Sequence, residues 1–218
     1  MSHFLRRFLA LAAVTLGLTM SAQSSSDNAH IGIRVAYDYN STTSEHNIVH
    51  GGSGASAGFA YYAPFGKLTY FNTGLMFFYD TLNYDGETGE DTSLAKIDGS
   101  LSMLGLKLPL HVGVKFYERE TMRLSLYTGP QLYYNFSMRN KFDRKRAGGT
   151  EYIRHTINSQ GMDVAWSIGA AADINRRWHV NVEYNIGLVD FVSVKTLELG
   201  MYGNLKRSEI SVGVGYNF

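Results

Sequence analysis

The sequence predicts an all-β fold, an eight-stranded antiparallel up-and-down barrel that crosses a membrane. Beyond residue 30, eight segments of roughly 10 to 14 residues alternate apolar and polar side chains with a period of two, as strands do. They exceed the average soluble strand of about 5–6 residues and match the ~9–11 that a tilted strand needs to cross a bilayer. Short and long connections alternate, as in barrels with short periplasmic turns and long extracellular loops.

Composition excludes several other classes of protein. The 218 residues favour one domain, and 20 Lys+Arg against 19 Asp+Glu lack the basic excess of a nucleic-acid-binding protein. With no cysteine, the chain has no disulfides and no thiolate metal sites. Its mean hydropathy of -0.15 excludes a bundle of transmembrane helices.

The amino-terminal segment has the features of a cleaved secretory signal peptide. Arg6 and Arg7 provide its positive region, residues 8–18 its apolar region, and small residues near Ala22 a cleavage site. The alternative is a membrane anchor, but the apolar run is shorter than the ~20 residues that span a bilayer. The predicted division is a signal peptide at 1–22, a short disordered lead-in at 23–29 and the barrel domain at 30–218.

The eight strands follow in order along the barrel domain. They are predicted at 30–39, 53–62, 67–82, 104–116, 124–136, 162–173, 178–188 and 209–218. The fourth alternates most regularly, with leucine or valine at every second position from Leu104 to Val114. Long connections are predicted near 40–52, 83–100, 138–160 and 190–206, and short ones at 63–66, 118–122 and 175–177. An even number of strands puts both termini in the periplasm.

The composition of the two strand faces indicates which one meets lipid. The polar face consists mostly of Gly, Ala, Ser and Asn, which suit the crowded interior of an eight-stranded barrel. A soluble ligand-binding barrel, the alternative, would instead have an outer face rich in Lys, Glu and Thr. Aromatic residues near strand ends fit interfacial girdles. They are Tyr37, Tyr39, Phe116, Phe136, Trp178, Tyr216 and Phe218.

Four segments resemble the PorT-like family of outer-membrane β-barrel domains, which is related in shape to the OmpA and OmpX types. They are Leu108–Leu110, Tyr127–Leu132, Val182–Leu188 and Val212–Phe218. The resemblance implies a barrel in the outer membrane of a Gram-negative bacterium, surrounded by outer-membrane lipids. Most members of the family have no assigned activity, and some are linked to secretion machinery.

The carboxyl terminus is predicted to be an assembly signal. Phe218, with Tyr216 two residues before it, matches the terminal signal by which the barrel-assembly machinery recognises its clients. An open last strand that ends in an aromatic residue offers an edge for strand addition.

Charged residues on the polar face predict a lumen charge network, because a charge shielded from water needs a partner. Its predicted members are Arg34, Asp38, Lys107, His111, Lys115, Asp163, Asp173, Glu183 and Glu209. We expect them to fill the lumen. The alternative, a narrow ion path, would be blocked by large lumen groups, namely Arg34, Tyr62, Met103, Tyr127 and Tyr133.

No catalytic, cofactor or metal site is predicted. His46 and His50 have a spacing that binds metals on a helix, but they lie in a predicted loop without an evident third ligand. A lipid-modifying enzyme would need a nucleophile and a base facing lipid. No Ser–His pair lies on the apolar face, and His111 and His179 are on the polar face.

Two predicted extracellular loops carry opposite charge. The 138–160 loop has six basic residues against two acidic ones, net +4, and the 83–100 loop has five acidic residues against one basic, net -4. The basic residues are Arg139, Lys141, Arg144, Lys145, Arg146 and Arg154. Either both loops are simply solvated, or they pair across the barrel mouth, or the basic loop contacts lipid A phosphates.

The sequence thus favours a monomeric, non-catalytic outer-membrane barrel with a structural or loop-mediated adhesive role. The alternatives are a narrow channel or transporter component and a barrel associated with secretion machinery. Pro109 and Pro130 fall inside predicted strands, where each removes a hydrogen-bond donor, and local bulges are expected there.

Overall fold

The computed structural model of the chain is a closed antiparallel β-barrel, as the sequence predicts. It describes residues 29–43, 49–88, 95–146, 149–157, 161–189, 192–193 and 204–218. The predicted signal peptide and all but the last residue of the lead-in lie outside them. The strands are β1 His30–Thr43, β2 Val49–His50, β3 Gly52–Pro64, β4 Thr69–Thr88, β5 Ala95–Glu118, β6 Met122–Arg146, β7 Gly149–Ile157, β8 Met162–Ile174, β9 Trp178–Gly187, β10 Val192–Ser193 and β11 Asn204–Asn217.

Eight of these strands form the barrel wall in the order β1-β3-β4-β5-β6-β8-β9-β11. The wall closes because β11 also pairs with β1, from Gly32 opposite Asn217 to Thr43 opposite Lys206. The short strands β2, β7 and β10 pair with β4, β6 and β11 respectively, on the side of the long connections. The described residues contain no helix that is long and apolar enough to cross a membrane.

The alternation of the sequence becomes an outward and an inward face of the wall. Val182 on β9 is 50% exposed on the outward face, whereas Tyr133 on β6 is completely buried in the lumen. The outward aliphatic and aromatic residues form the surface that meets lipid. This arrangement confirms the predicted fold class.

Strands β4, β5 and β6 are much longer than predicted, with 20, 24 and 25 residues. Most of the predicted 83–100 connection belongs to β4 and β5, and most of the 138–160 connection to the β6–β7 hairpin. Strands β4 to β7 are consecutive neighbours, so the acidic and basic segments lie side by side in one sheet.

The two strand prolines do not cause the bulges that the sequence predicts. Pro109 pairs in register with Gln131, and Pro130 with Trp166. The two register shifts of the β5–β6 pairing lie elsewhere, between Leu104 and Gly105 and between Lys115 and Tyr117. A missing N–H removes one hydrogen bond but does not by itself require an extra residue.

The strands approach each other closely beside Pro130. A Cβ on Gly129 would lie 2.2 Å from the carbonyl oxygen of Leu110 on β5. Only glycine fits there without a shift of the backbone. On the outward side, Leu106, Leu108 and Tyr134 form a buried cluster that packs against Leu75, Leu110, Leu132 and Met162.

Candidate functional site

The lumen contains a buried ion cluster centred on Lys107. Its ammonium reaches from β5 across the lumen and donates to Asp38 Oδ2 on β1 at 2.7 Å and to Glu209 Oε1 on β11 at 2.8 Å. All three side chains are at most 3% exposed. Because the ion pairs link strands far apart in sequence, they tie opposite sides of the barrel together.

A second buried cation, Arg207, lies in the same part of the lumen. Its guanidinium is 3.4 Å from Asp80 Oδ2 and 3.8 Å from Asp163 Oδ2, and it donates to Met103 Sδ at 3.0 Å. Arg207, Asp80 and Asp163 form one cluster with Lys107, Asp38 and Glu209. We call it the upper ion cluster; its members are Asp38, Asp80, Lys107, Asp163, Arg207 and Glu209.

One aromatic pair contacts both cations of the upper ion cluster. Lys107 Nζ lies 5.5 Å and 5.6 Å from the ring centroids of Phe78 and Tyr133, and the Arg207 guanidinium carbon lies 5.1 Å and 4.7 Å from the same centroids. These distances are typical of cation–π contacts. The rings therefore stabilise the two cations and fill the lumen around them.

Neutral side chains provide further hydrogen bonds to the carboxylates. Ser211 donates to Asp38 Oδ1 at 2.6 Å, and Asn185 donates to Glu209 Oε1 at 3.2 Å. Asn185 in turn accepts a short hydrogen bond from Ser167. Asp38 consequently has a donor on each of its two oxygens.

A second polar layer lies next to the upper ion cluster. Buried His111 has its Nδ1 atom 3.8 Å from Glu183 Oε2 and stacks on Tyr127 at a centroid distance of 5.0 Å. Asn181 donates to the Tyr127 hydroxyl at 3.2 Å. A cavity of about 60 Å³, lined by Lys107, His111, Glu183 and Glu209 among others, has room for a few water molecules.

Ion pairs and stacked rings line the periplasmic end of the lumen. Arg34 donates to Asn217 at 2.6 Å, and the imidazole of His179 lies 2.8 Å from Asp173. Further contacts at this end are the ion pairs Lys115–Glu118 at 3.2 Å, Arg123–Glu118 at 3.4 Å and Arg123–Asp173 at 3.9 Å, and the stacks of His30 on Tyr62 and of Tyr62 on Tyr70, each at 4.7 Å.

All nine residues of the predicted network lie on the inward face, but they fall into separate groups. Lys107, Asp38 and Glu209 are in direct contact, His111 lies near Glu183, and Asp173 meets His179. Among the described residues, the sequence prediction missed five ion-pair participants, namely Asp80, Glu118, Arg123, His179 and Arg207. Asp80 and His179 were on the polar faces of predicted strands, whereas Glu118, Arg123 and Arg207 lie one or two residues outside the predicted strand limits.

The basic residues of the predicted extracellular loop are in the β6–β7 hairpin. Arg139 and Lys141 are exposed on the outward side of β6, three and five residues beyond the girdle residue Phe136. Lys141 pairs in register with Arg154, and Arg144 pairs with Glu151. Two adjacent basic side chains thus follow the lipid-facing band on the extracellular side.

The described part of the chain includes only one of the two histidines whose spacing suggested a metal site, His46 and His50. His46 lies outside the described residues, and His50 is in β2 opposite Asn83. At the carboxyl terminus, Tyr216 contacts Trp178 and Phe218 edge-on, with centroid distances of 5.4 Å and 5.6 Å. These three aromatic rings form part of the girdle at the periplasmic end.

One family model matches most of the chain. The model of the family "outer membrane protein beta-barrel domain" matches residues 21–193. A search of the curated proteins finds no match.

Similar solved structures include three outer-membrane or surface proteins. The attachment invasion locus protein Ail of Yersinia pestis is 12% identical, with a TM-score of 0.45, over 88% of this chain and 100% of that one. Neisserial surface protein A is 12% identical, with a TM-score of 0.42 and the same coverage. OprG of Pseudomonas aeruginosa is 12% identical, with a TM-score of 0.40, over 90% of this chain and 98% of that one.

Proposed function

The chain belongs to the outer membrane protein β-barrel domain family. We propose that it is a non-catalytic barrel that acts through its extracellular sheet, the part of strands β4 to β7 that extends beyond the lipid-facing band. It lies in the cell outer membrane. Our proposal is that the membrane-spanning part is a filled scaffold and that β4 to β7 present a surface for interaction. The narrower resemblance to the PorT-like family suggests an alternative role, that of a barrel associated with secretion machinery.

The length of the strands is the observation that supports this function best. Strands β5 and β6 have 24 and 25 residues, more than twice the ~9–11 that cross a bilayer. The additional residues continue the pairing of β4 with β5, of β5 with β6 and of β6 with β7 beyond the lipid-facing band. A hydrogen-bonded sheet holds its surface residues in a fixed arrangement, which suits recognition.

The ion-paired lumen favours this function over the narrow channel. Lys107 bridges β5 to β1 and β11, and Tyr133 and Phe78 occupy the space beside it. Below them, His111 and Tyr127 stack. Conduction would require these contacts to break.

The exposed basic side chains favour one partner of the extracellular sheet, the phosphates of lipid A. Arg139 and Lys141 follow Phe136 on the outward side of β6, at a strand rise of about 3.3 Å per residue. They are therefore about 10 to 17 Å along the strand from the aromatic girdle. Basic side chains close to an anionic headgroup layer contribute about 1 kcal/mol each.

Replacing both basic residues, Arg139→Gln with Lys141→Gln, is expected to weaken the binding of lipid A at least tenfold. The effect follows from two lost attractions of about 1 kcal/mol each. The measurement is a titration of the detergent-solubilised protein with lipid A and with its dephosphorylated form. The matched control is Lys67→Gln with Arg177→Gln, which removes the same charge from exposed periplasmic turns. Equal affinities of both double variants would refute the lipid A contact.

An epitope tag inserted at Gly148 is expected to be stained by antibody on intact cells. Eight wall strands and periplasmic termini put the β6–β7 connection outside. A tag inserted at Gly66, between β3 and β4, is expected to be stained only after permeabilisation. The opposite result for the two tags would mean that the barrel is inserted the other way round.

We also propose that the barrel-assembly machinery recognises Tyr216 and Phe218. The mature protein is proposed to be a monomer. Phe218 is 74% exposed at the end of the closing strand, which makes its ring accessible at the periplasmic rim.

A further inference from the structure

The upper ion cluster contains more negative than positive charge. It has four carboxylates, Asp38, Asp80, Asp163 and Glu209, but only two cations, Lys107 and Arg207. All six side chains are at most 3% exposed, so bulk solvent screens the difference only weakly. An excess of two buried negative charges is unfavourable unless something else compensates it.

The excess is concentrated on oxygens that have no donor. Asp38 accepts from Ser211 and Lys107. In contrast, both oxygens of Asp80 lack a hydrogen-bond partner within the described part of the chain. The same is true of Oε2 of Glu209. Arg207 is an ion-pair partner of Asp80, at 3.4 Å. Lys107 binds the other oxygen of Glu209, so its ammonium leaves Oε2 available.

A neutral oxygen donor lies beside these carboxylates. Asn40 is completely buried on the inward face of β1, directly opposite Glu209 in the β1–β11 pairing. Neither the oxygen nor the nitrogen of its side-chain amide has a hydrogen-bond partner among the described residues. Buried amides are almost always hydrogen-bonded, so an unpaired amide beside several carboxylates points to a bound group at this place.

We propose that Asp80 and Glu209, together with the amide oxygen of Asn40, bind one hard divalent cation such as Ca²⁺ or Mg²⁺. Oxygens of Asp38, Asp80 and Glu209 lie within 4.8 Å of one another. Two oxygens bound to the same cation at about 2.0–2.6 Å can be at most about 5 Å apart, so the spacing fits. Carboxylate and amide oxygens are the ligands that these ions prefer. One divalent ion cancels the two excess charges. The site is independent of the extracellular sheet and of its proposed partner.

The test compares metal content and thermal stability of the full mature protein, folded in detergent with EDTA or with CaCl₂ or MgCl₂. We expect about one divalent ion per chain after gel filtration and a higher unfolding temperature with the ion than with EDTA, because a ligand that binds only the folded state stabilises it. Asp80→Asn is expected to abolish both effects. With EDTA, this variant is also expected to unfold at a higher temperature than the wild type, since it removes one uncompensated charge.

The control is Asp173→Asn, which changes a buried carboxylate that is paired with His179 in the periplasmic half. It is expected to lower the unfolding temperature but to keep the bound ion. Glu209→Gln is the second site variant, in case Asp80→Asn does not fold. Absence of a stoichiometric ion from the wild type would overturn the proposal and would mean that protons balance the cluster. Retention of the ion by both Asp80→Asn and Glu209→Gln would overturn it too, because the ion would then be elsewhere.

Discussion

Replacing Lys107 with methionine is expected to destabilise the folded barrel by about 3–5 kcal/mol, the usual cost of removing one partner of a buried ion pair. Methionine has a similar length, so the change removes the charge and leaves the packing nearly intact. Asp38 and Glu209 would both lose the ammonium that now lies 2.7 Å and 2.8 Å from them. The measurement is urea unfolding of the barrel in lipid vesicles, followed by the shift between folded and unfolded mobility on gels.

Two further variants identify the cause of the loss. Lys67→Met removes an exposed lysine from a periplasmic turn and is expected to change the stability by less than about 0.5 kcal/mol. Adding Asp38→Asn to Lys107→Met is expected to recover part of the stability, because one of the two unpaired carboxylates becomes neutral. If Lys107→Met is as stable as Lys67→Met, the ion pairs do not support the barrel.

The sequence predicted every wall strand, but it predicted the membrane part better than the extracellular part. Strands β8 and β9 end within a residue of their predicted limits, whereas β5 begins at Ala95 and not near 104. In the bilayer, one face must be apolar, so alternation marks the strand. Residues 95–103 show only a weak alternation, so the sequence did not mark the start of β5.

The same limit explains the site residues that the sequence missed. The alternation of side chains between the two faces of a strand is enough to assign Lys107 and Glu209 to the lumen. The pairing of Arg207 with Asp80 depends on β11 extending past residue 209 towards the extracellular side, beyond the limit that the sequence predicted for this strand. Which inward residues touch across the lumen depends on the stagger of the strands around the barrel, and hydrophobic periodicity does not contain that information.

Replacing Val182 with arginine is expected to destabilise the inserted barrel by about 2–4 kcal/mol, because a charge at the bilayer midplane must be taken out of water. Val182 lies in the middle of β9 and is half exposed on the outward face, so an arginine there would point away from the lumen. The measurement is urea unfolding in vesicles together with the fraction of protein that migrates as a folded band before boiling.

The matched control is the same substitution at another depth, Val189→Arg, just beyond the end of β9. Val189 is also exposed, and an arginine near the interface costs only about 0–1 kcal/mol, since its side chain reaches the headgroups. Serines of the lumen are poor controls, because Ser125 accepts a hydrogen bond from Tyr70 and Ser167 donates one to Asn185, so an arginine would disrupt the packing there. Equal losses at Val182 and Val189 would mean that the outward face of β9 does not lie in the hydrocarbon core. A loss of about 2–4 kcal/mol at Val182 with little change at Val189 is the result expected if Val182 lies within that core.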